Sequence, residues 1–295
     1  MIFDLKEFSQ KIICEGAVSD TVVDFSVDGN VLDLYLTATN DKVKFIELEW
    51  NFESSDDMWV LGDAWERSYG ELTFNKITDC EKLMPWYFIA TDKKSCFCFG
   101  VKTQPNAFIS FRYTKSGIKA LVDCRNGGCG VELGGRKLHL ATFICKEYGS
   151  DDFYACLCDY CKSLCDNPIL PKERIYGGNN WYYAYGKSSY GEIISDTKVQ
   201  VELAKGIANK PFEVIDDCWQ IHSCEGPWIP NEKFGDMKKL ADEIKEIGAR
   251  PGIWIRLLCN KDRAIRKDMR ILRKGKRQYL DPTHPSSGMD YVLVN

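Results

Sequence analysis

The residues best suited to chemistry lie in Phe212-Glu213-Val214-Ile215-Asp216-Asp217-Cys218-Trp219-Gln220, where a short apolar run ends in two adjacent acids and a tryptophan. Such a run reads as a buried parallel strand that delivers polar and aromatic groups to its C-terminal end, where barrel enzymes build their sites. Neighbouring strand residues leave the backbone toward opposite sides. An acid and a nucleophile that cleave a glycosidic bond must flank it, roughly 5 to 5.5 Å apart for retention of configuration. Asp216 and Asp217 are poorly placed for that. They suit the acceptance of hydrogen bonds from neighbouring hydroxyls, since each carboxylate offers two acceptor oxygens. The alternative is that one of them caps its own loop or pairs with Lys or Arg.

Four of the eight tryptophans, Trp181, Trp219, Trp228 and Trp254, fall in the same half of the chain, three of them at or just after expected strand ends. A flat apolar ring can lie against the C–H face of a sugar, and it can equally pack a core. For Trp219 both readings stay open. Arg256 follows Trp254 by two residues, on the same side of the strand, within reach of a hydroxyl, of a catalytic carboxylate, or of Asp216 or Asp217 as a structural partner. The three histidines are scattered, and no Gly-x-Gly-x-x-Gly, phosphate loop or Gly-x-Ser-x-Gly elbow occurs. Metal, nucleotide and serine-hydrolase chemistry therefore lose support, and no cofactor is expected.

The elements that position these residues follow a repeat. An expected strand at Ile175–Tyr183 precedes a helix opening near Ser195-Asp196 with Val199, Leu203 and Ile207 as its apolar stripe. The Asp216-Asp217 strand precedes a helix near Phe234 to Ile247, with Met237, Leu240, Ile244 and Ile247 on one face and Gly248 as its stop. A third strand is expected from Arg250 to Leu258. Trp181 to Asp216 spans 35 positions and Asp216 to Trp254 spans 38, a length that suits β/α units of a parallel barrel. A full barrel takes roughly 250 residues, and the run beyond Pro171 accommodates three of eight units.

Ahead of it, from about residue 20 to 148, the period is two. In Lys44–Phe52, Ile46, Leu48, Trp50 and Phe52 face one way while Glu47, Glu49 and Asn51 face the other. Further strands are expected at 31–37, 86–91, 95–102, 107–114, 118–124 and 137–147, separated by Asp28-Gly29-Asn30, Lys115-Ser116-Gly117 and Gly134-Gly135 turns. Short strands without helical periods argue a β-sandwich. A helix over 151–165 and the proline-punctuated 166–171 mark the boundary. The fold class is multidomain: an antiparallel β-sandwich over 1–150, a linking helix and Pro-containing segment over 151–171, and a partial (β/α) barrel of the TIM type over 172–295.

Charge excludes some partners. Lys+Arg 39 against Asp+Glu 43 gives a net charge of -4, with no global pull toward nucleic acid or an anionic membrane. The stretch Lys261–Arg277 carries nine Lys or Arg but lacks interleaved aromatics, which favours a solvated surface. The N-terminus has acids where a signal peptide carries bases, and no stretch approaches the roughly 20 apolar residues of a membrane span. A soluble cytoplasmic protein is expected. Fourteen cysteines are then mostly small buried hydrophobes. On the 151–165 helix, Cys158, Cys161 and Cys165 are expected on a packed face with Phe153, Tyr154 and Leu157, since one helix face rarely supplies four zinc ligands. Cys124 and Cys129 flank Arg125-Asn126-Gly127-Gly128, a hairpin-type turn.

Four segments in order, Gly178-Asn179-Asn180-Trp181, Val214-Ile215-Asp216-Asp217-Cys218-Trp219-Gln220, Gly248-Ala249-Arg250-Pro251-Gly252-Ile253-Trp254 and Leu280-Asp281-Pro282-Thr283-His284-Pro285, resemble consecutive motifs of the α-galactosidase (melibiase) group, glycoside hydrolase families 36 and 27. The resemblance covers about 172–295, with the β-rich front matching the family 36 sandwich more loosely. It implies a retaining hydrolase of terminal α-galactosyl units acting on an oligosaccharide or glycoside. Asp216 and Asp217 would bind galactose hydroxyls, Trp181 and Trp254 would wall the subsite, and neither metal nor organic cofactor is implied. The family's nucleophile follows the fourth strand and its acid/base the sixth, both beyond Asn295, so no catalytic residue is assigned and this chain alone is expected to be inactive. Arg256 stands where many members carry a proline or acid. The alternatives are a non-catalytic carbohydrate-binding protein, or a subunit completed by an oligomeric partner or a missing C-terminal half.

Overall fold

The computed structural model describes residues 3–64, 70–78, 82–125, 129–224 and 226–256, together with the short strands Cys259–Lys261, Leu272–Arg273, Lys276–Arg277 and Tyr291–Leu293. The Leu280–Pro285 motif and most of the basic stretch lie outside the described residues. The chain divides into two compact units, Met1–Pro168 and Ile169–Asn295.

The first unit contains thirteen described strands: β1 Ser9–Cys14, β2 Val22–Asp28, β3 Val31–Thr37, β4 Lys42–Asn51, β5 Trp59–Gly62, β6 Asn75–Lys76, β7 Met84–Pro85, β8 Tyr87–Thr91, β9 Cys96–Val101, β10 Phe108–Thr114, β11 Gly117–Asp123, β12 Val131–Glu132 and β13 Leu138–Tyr148. One antiparallel sheet runs β1-β4-β11-β10-β7 with β12 also on β4, and the other runs β2-β3-β13-β9-β8-β5-β6. They close over one apolar core. Ile46, Leu48 and Trp50 of β4 meet Leu32, Leu34 and Leu36 of β3 there, with Phe99, Phe111 and Phe143. Alternation delivers every second residue to that core while Glu47 and Glu49 stay outside. Gly29 supplies the positive φ of 58° that the tight β2–β3 turn requires.

One local expectation changes, on the helix that follows the sheets. β11 and β12 both pair with β4 and run in the same direction along it, Asp123 opposite Phe45 and Val131 opposite Val43. The hairpin-type turn expected at Arg125-Asn126-Gly127-Gly128 lies mostly outside the described residues. Helix α1, Phe153–Ser163, is capped by the Asp152 carboxylate accepting from Ala155 N. It packs on the sheet of β8, β9 and β13, inside the first unit. Its buried face is Cys156, Tyr160 and Leu164, with Leu157 partly covered. Cys158, Cys161, Phe153 and Tyr154 are exposed and Cys165 half-buried. Cysteine and leucine at neighbouring helical phases offer two equally apolar faces, and Tyr160 decides between them because its hydroxyl reaches Ile144 O, 2.8 Å away.

The second unit contains a three-stranded parallel sheet, β14 Gly177–Asn179, β15 Phe212–Ile215 and β16 Arg250–Ile253 in that order, and two short antiparallel pairs, Cys259–Lys261 with Tyr291–Leu293 and Leu272–Arg273 with Lys276–Arg277. Between β14 and β15 come the single turn α2, Trp181–Ala184, and α3, Tyr190–Leu203; α4, Met237–Ile247, joins β15 to β16. β14 ends sooner than expected, at Asn179, and β16 at Ile253. α3 opens six residues earlier than expected: Ser189 is its cap, its hydroxyl oxygen accepting from Glu192 N and lying 3.5 Å from the Glu192 carboxylate. Ile193, Ile194 and Thr197 face the sheet, with Val201 partly covered. Val199, Leu203 and Ile207 are exposed. α4 follows Asp236 as cap and stops at Gly248, whose φ of 118° is left-handed. Leu240 and Ile244 join Ile193, Ile215 and Trp219 in this unit's core. Among the described residues no helix is long and apolar enough to cross a membrane.

Candidate functional site

The site is built at the carboxyl ends of the three parallel strands. β14 and β15 approach so closely at Gly177 that a Cβ there would lie 1.9 Å from Phe212 O, and its φ is 152°. Only glycine fits such a contact. The resulting register sets Asn179 opposite Val214, so the Asn179 side chain reaches the residue just past β15, where its Nδ2 donates to Asp216 Oδ2. Its Oδ1 accepts from Trp181 N at 2.8 Å, which starts α2. Asp216 Oδ1 accepts from Asp217 N at 2.6 Å. On the other side Trp254 N donates to Ile215 O at 2.8 Å, carrying the β15–β16 ladder one residue further.

Asp216 and Asp217 have different surroundings. Asp216 is half-buried beside Asn179. Asp217 is buried and turned into its own loop: Gln220 Nε2 and Cys224 N donate to Oδ1, 2.7 and 2.8 Å away, and Ser223 Oγ and Cys224 Sγ donate to Oδ2, 2.8 and 3.0 Å away. Burial acts to raise its pKa, but these donors together outweigh it and hold the carboxyl below the usual value. The expected capping of its own loop by one acid thus describes Asp217. Cys218 and Cys224 both adopt positive φ, 73° and 65°, which curls the loop around that carboxylate. Burial, then the carboxylate it donates to, pushes the Cys224 thiol up, and the Arg256 charge opposes this.

Of the tryptophans, Trp181 and Trp254 are half-buried at the strand ends. Trp181 meets Tyr185 edge-on at 6.1 Å between centroids, and the Arg256 guanidinium stands 6.0 Å from the Trp254 ring. Trp219 belongs to the core. Its Nε1 donates to Trp254 O at 2.9 Å and its ring stacks on Trp228 at 6.2 Å. The arrangement therefore groups Asp216, Asn179 and Trp181 through hydrogen bonds, with Trp254 and Arg256 on the next strand. Among the described residues no group of three or more His, Cys, Asp or Glu is placed to hold a metal ion.

On the opposite face of β15, Glu213 is fully buried and receives Gln200 Nε2 from α3. Burial, with the Asp196 charge nearby, pushes its pKa up to about 8, so it is a neutral acid at pH 7. Glu213 Oε1 and Gln200 Oε1 are buried without a hydrogen-bond partner.

In sequence the chain matches no known family profile and no curated protein. In three dimensions it is similar to the α-galactosidase from Lactobacillus brevis (TM-score 0.56, 12% identity, 99% of this chain and 46% of that one). It is also similar to AgaB, a family 36 α-galactosidase from Geobacillus stearothermophilus (0.55, 15%, 93% and 42%). A variant of the same organism's AgaA in complex with stachyose gives 0.51, 15%, 99% and 49%. The chain shares the fold of glycoside hydrolase family 36 α-galactosidases. It spans less than half the length of those solved structures.

Within this family 36 fold, sequence reasoning did not assign Asn179, Gln220, Ser223 or Cys224 a role. Asn179 stands in the Gly178-Asn179-Asn180-Trp181 segment at a strand end, where an amide can aim at the neighbouring strand's acid. The loop donors carry no such signal, because two cysteines at positive φ follow no turn preference.

Proposed function

We propose that the chain forms part of a retaining glycoside hydrolase acting on terminal α-galactosyl units, with β14, β15 and β16 as the opening strands of a (β/α)8 barrel. The observation that carries this is the Asp216 carboxylate held by Asn179 at adjacent strand ends, between two half-buried tryptophans, on a fold shared with family 36. Each Asp216 oxygen keeps a second lone pair for a sugar hydroxyl. Trp181 and Trp254 offer ring faces to the pyranose C–H surface, and Arg256 bounds the same side. Asp217 supports the site by holding the 218–224 loop.

Asp216 and Asp217 act here as binding and supporting groups, and the carboxylates that break the bond come from other residues. Titration calorimetry with galactose and with glucose tests the reading. Galactose binding that disappears in Asp216→Ala while the far-ultraviolet circular dichroism spectrum stays that of the parent supports it. Unchanged galactose binding in that variant sinks it. Turnover of an aryl α-galactoside by the purified 295-residue chain would show that the cleaving groups are already present.

A further inference from the structure

The three residues of β14 each meet a different neighbour. Gly177 is pressed against Phe212, Gly178 lies level with Glu213 of β15, and Asn179 holds Asp216 and starts α2. Gln200 of α3 lies across Gly178: a Cβ there would stand 2.2 Å from Gln200 Nε2 and 2.7 Å from its Cδ. The same Nε2 donates to Glu213 Oε2. Gln200 is therefore wedged between the buried acid and the strand that carries Asn179.

The wedge needs a proton. Glu213 is 0% exposed, and Glu213 Oε1, Glu213 Oε2 and Gln200 Oε1 are three acceptors facing a single amide nitrogen, with both Oε1 atoms unpaired. A proton on Glu213 turns one of these acceptors into a donor. Without it a charge is buried against neighbours that do not compensate it. β14 and β16 set Gly178 and Pro251 beside Glu213, and α4 brings Leu240 and Ile244 to the same core, none of them charged. The charge acting on it is that of Asp196 on α3, of the same sign, which itself accepts from the Tyr183 hydroxyl of α2.

We infer that neutral Glu213 is a positioning residue for the sugar site: it keeps Gln200 against Gly178, which fixes Asn179 and through it the aim of Asp216. This rests on the sugar-binding reading of Asp216 given above. Ionisation of Glu213 leaves the acceptors without that donor, Gln200 turns away from Gly178, and the carboxyl end of β14 loosens. Burial keeps the proton in place up to about pH 8, so sugar affinity holds below that value and falls above it.

Titration calorimetry of the full chain with galactose at pH 7 and pH 9, in the parent and in Glu213→Gln, tests this. Hydrogen exchange of the 176–182 peptide, corrected for intrinsic rates and compared with 237–247 in α4, gives a readout that needs no sugar. The neutral fraction of the parent falls from about nine-tenths to about one-tenth over this interval, so its galactose affinity should weaken about tenfold, and 176–182 should lose more protection than 237–247. Glu213→Gln has no proton to release and should show the same affinity and the same protection at both pH values. Equal pH dependence in the two chains, no pH dependence in the parent, or equal loss in 176–182 and 237–247 overturns the inference. Absence of galactose binding by the parent at both pH values counts against the proposed function, and the exchange comparison then decides this inference alone.

Discussion

Replacing Glu213 with glutamine should change how the second unit's stability depends on pH, and the structure sets both sign and size. In the folded chain the carboxyl keeps its proton up to about pH 8, against an ordinary value of 4.5. Below 4.5 both folded and unfolded chains hold the proton, so the stability associated with it is fully present. Between 4.5 and about 8 unfolding releases a proton, and stability falls as pH rises, by about 1.4 kcal/mol per pH unit. Roughly 3 kcal/mol is lost by pH 7 and about 5 kcal/mol once the folded acid itself titrates. Glu213 is fully buried, so solvent screening does not shrink these figures as it would at a surface. Glutamine keeps the shape and an amide able to pair with Gln200, and has no proton to release. Hydrogen exchange of peptides covering 190–203 and 212–215, each corrected for intrinsic exchange, reads the opening free energy of α3 and β15 in both chains. The Glu213→Gln minus parent difference should grow by several kcal/mol from pH 4.5 to 8. Parallel curves would refute the buried neutral acid.

Asp217→Ala should destabilise the second unit by about 2–4 kcal/mol, because four donors lose their acceptor, with the largest loss of exchange protection in 218–231. Gly177→Ala should cost about 3 kcal/mol or more by forcing β14 from Phe212, visible as lost protection at 212–215. On α3, urea unfolding should show Ile193→Ala costing about 2–5 kcal/mol and Leu203→Ser changing stability by no more than about 0.5 kcal/mol. Equal effects at the two positions would invalidate the assigned faces.

Legibility followed the physics of each element. β4 could be read because alternation is a two-state pattern and Trp50 is too large to be ambiguous. The parallel strands and α4 could be read because Gly248 and the Leu240–Ile244 stripe agree on one helix. α3 misled because two stripes share its period: Val199–Leu203–Ile207 is more apolar, yet the covered side includes Thr197 and Gln200. Those polar residues belong inside because Thr197 Oγ1 donates to Ile193 O at 2.6 Å and Gln200 serves Glu213. At the site the type and position of Asp216 were readable, since strand ends are visible in the sequence. The burial of Asp217 was not, since it depends on a loop whose curl comes from positive φ at two cysteines.

The Trp219 hydrogen bond to Trp254 O, with Trp228 stacked alongside, also makes the molecule its own optical gauge. Two indoles at near-parallel angles couple electronically, and the one bound to a carbonyl away from water emits at shorter wavelength than a hydrated ring. The pair joins the loop after β15 to the end of β16, so any ligand that draws these two segments together or parts them writes itself into the near-ultraviolet dichroism and the emission maximum. The sugar binding proposed for these strand ends is thereby testable without a label.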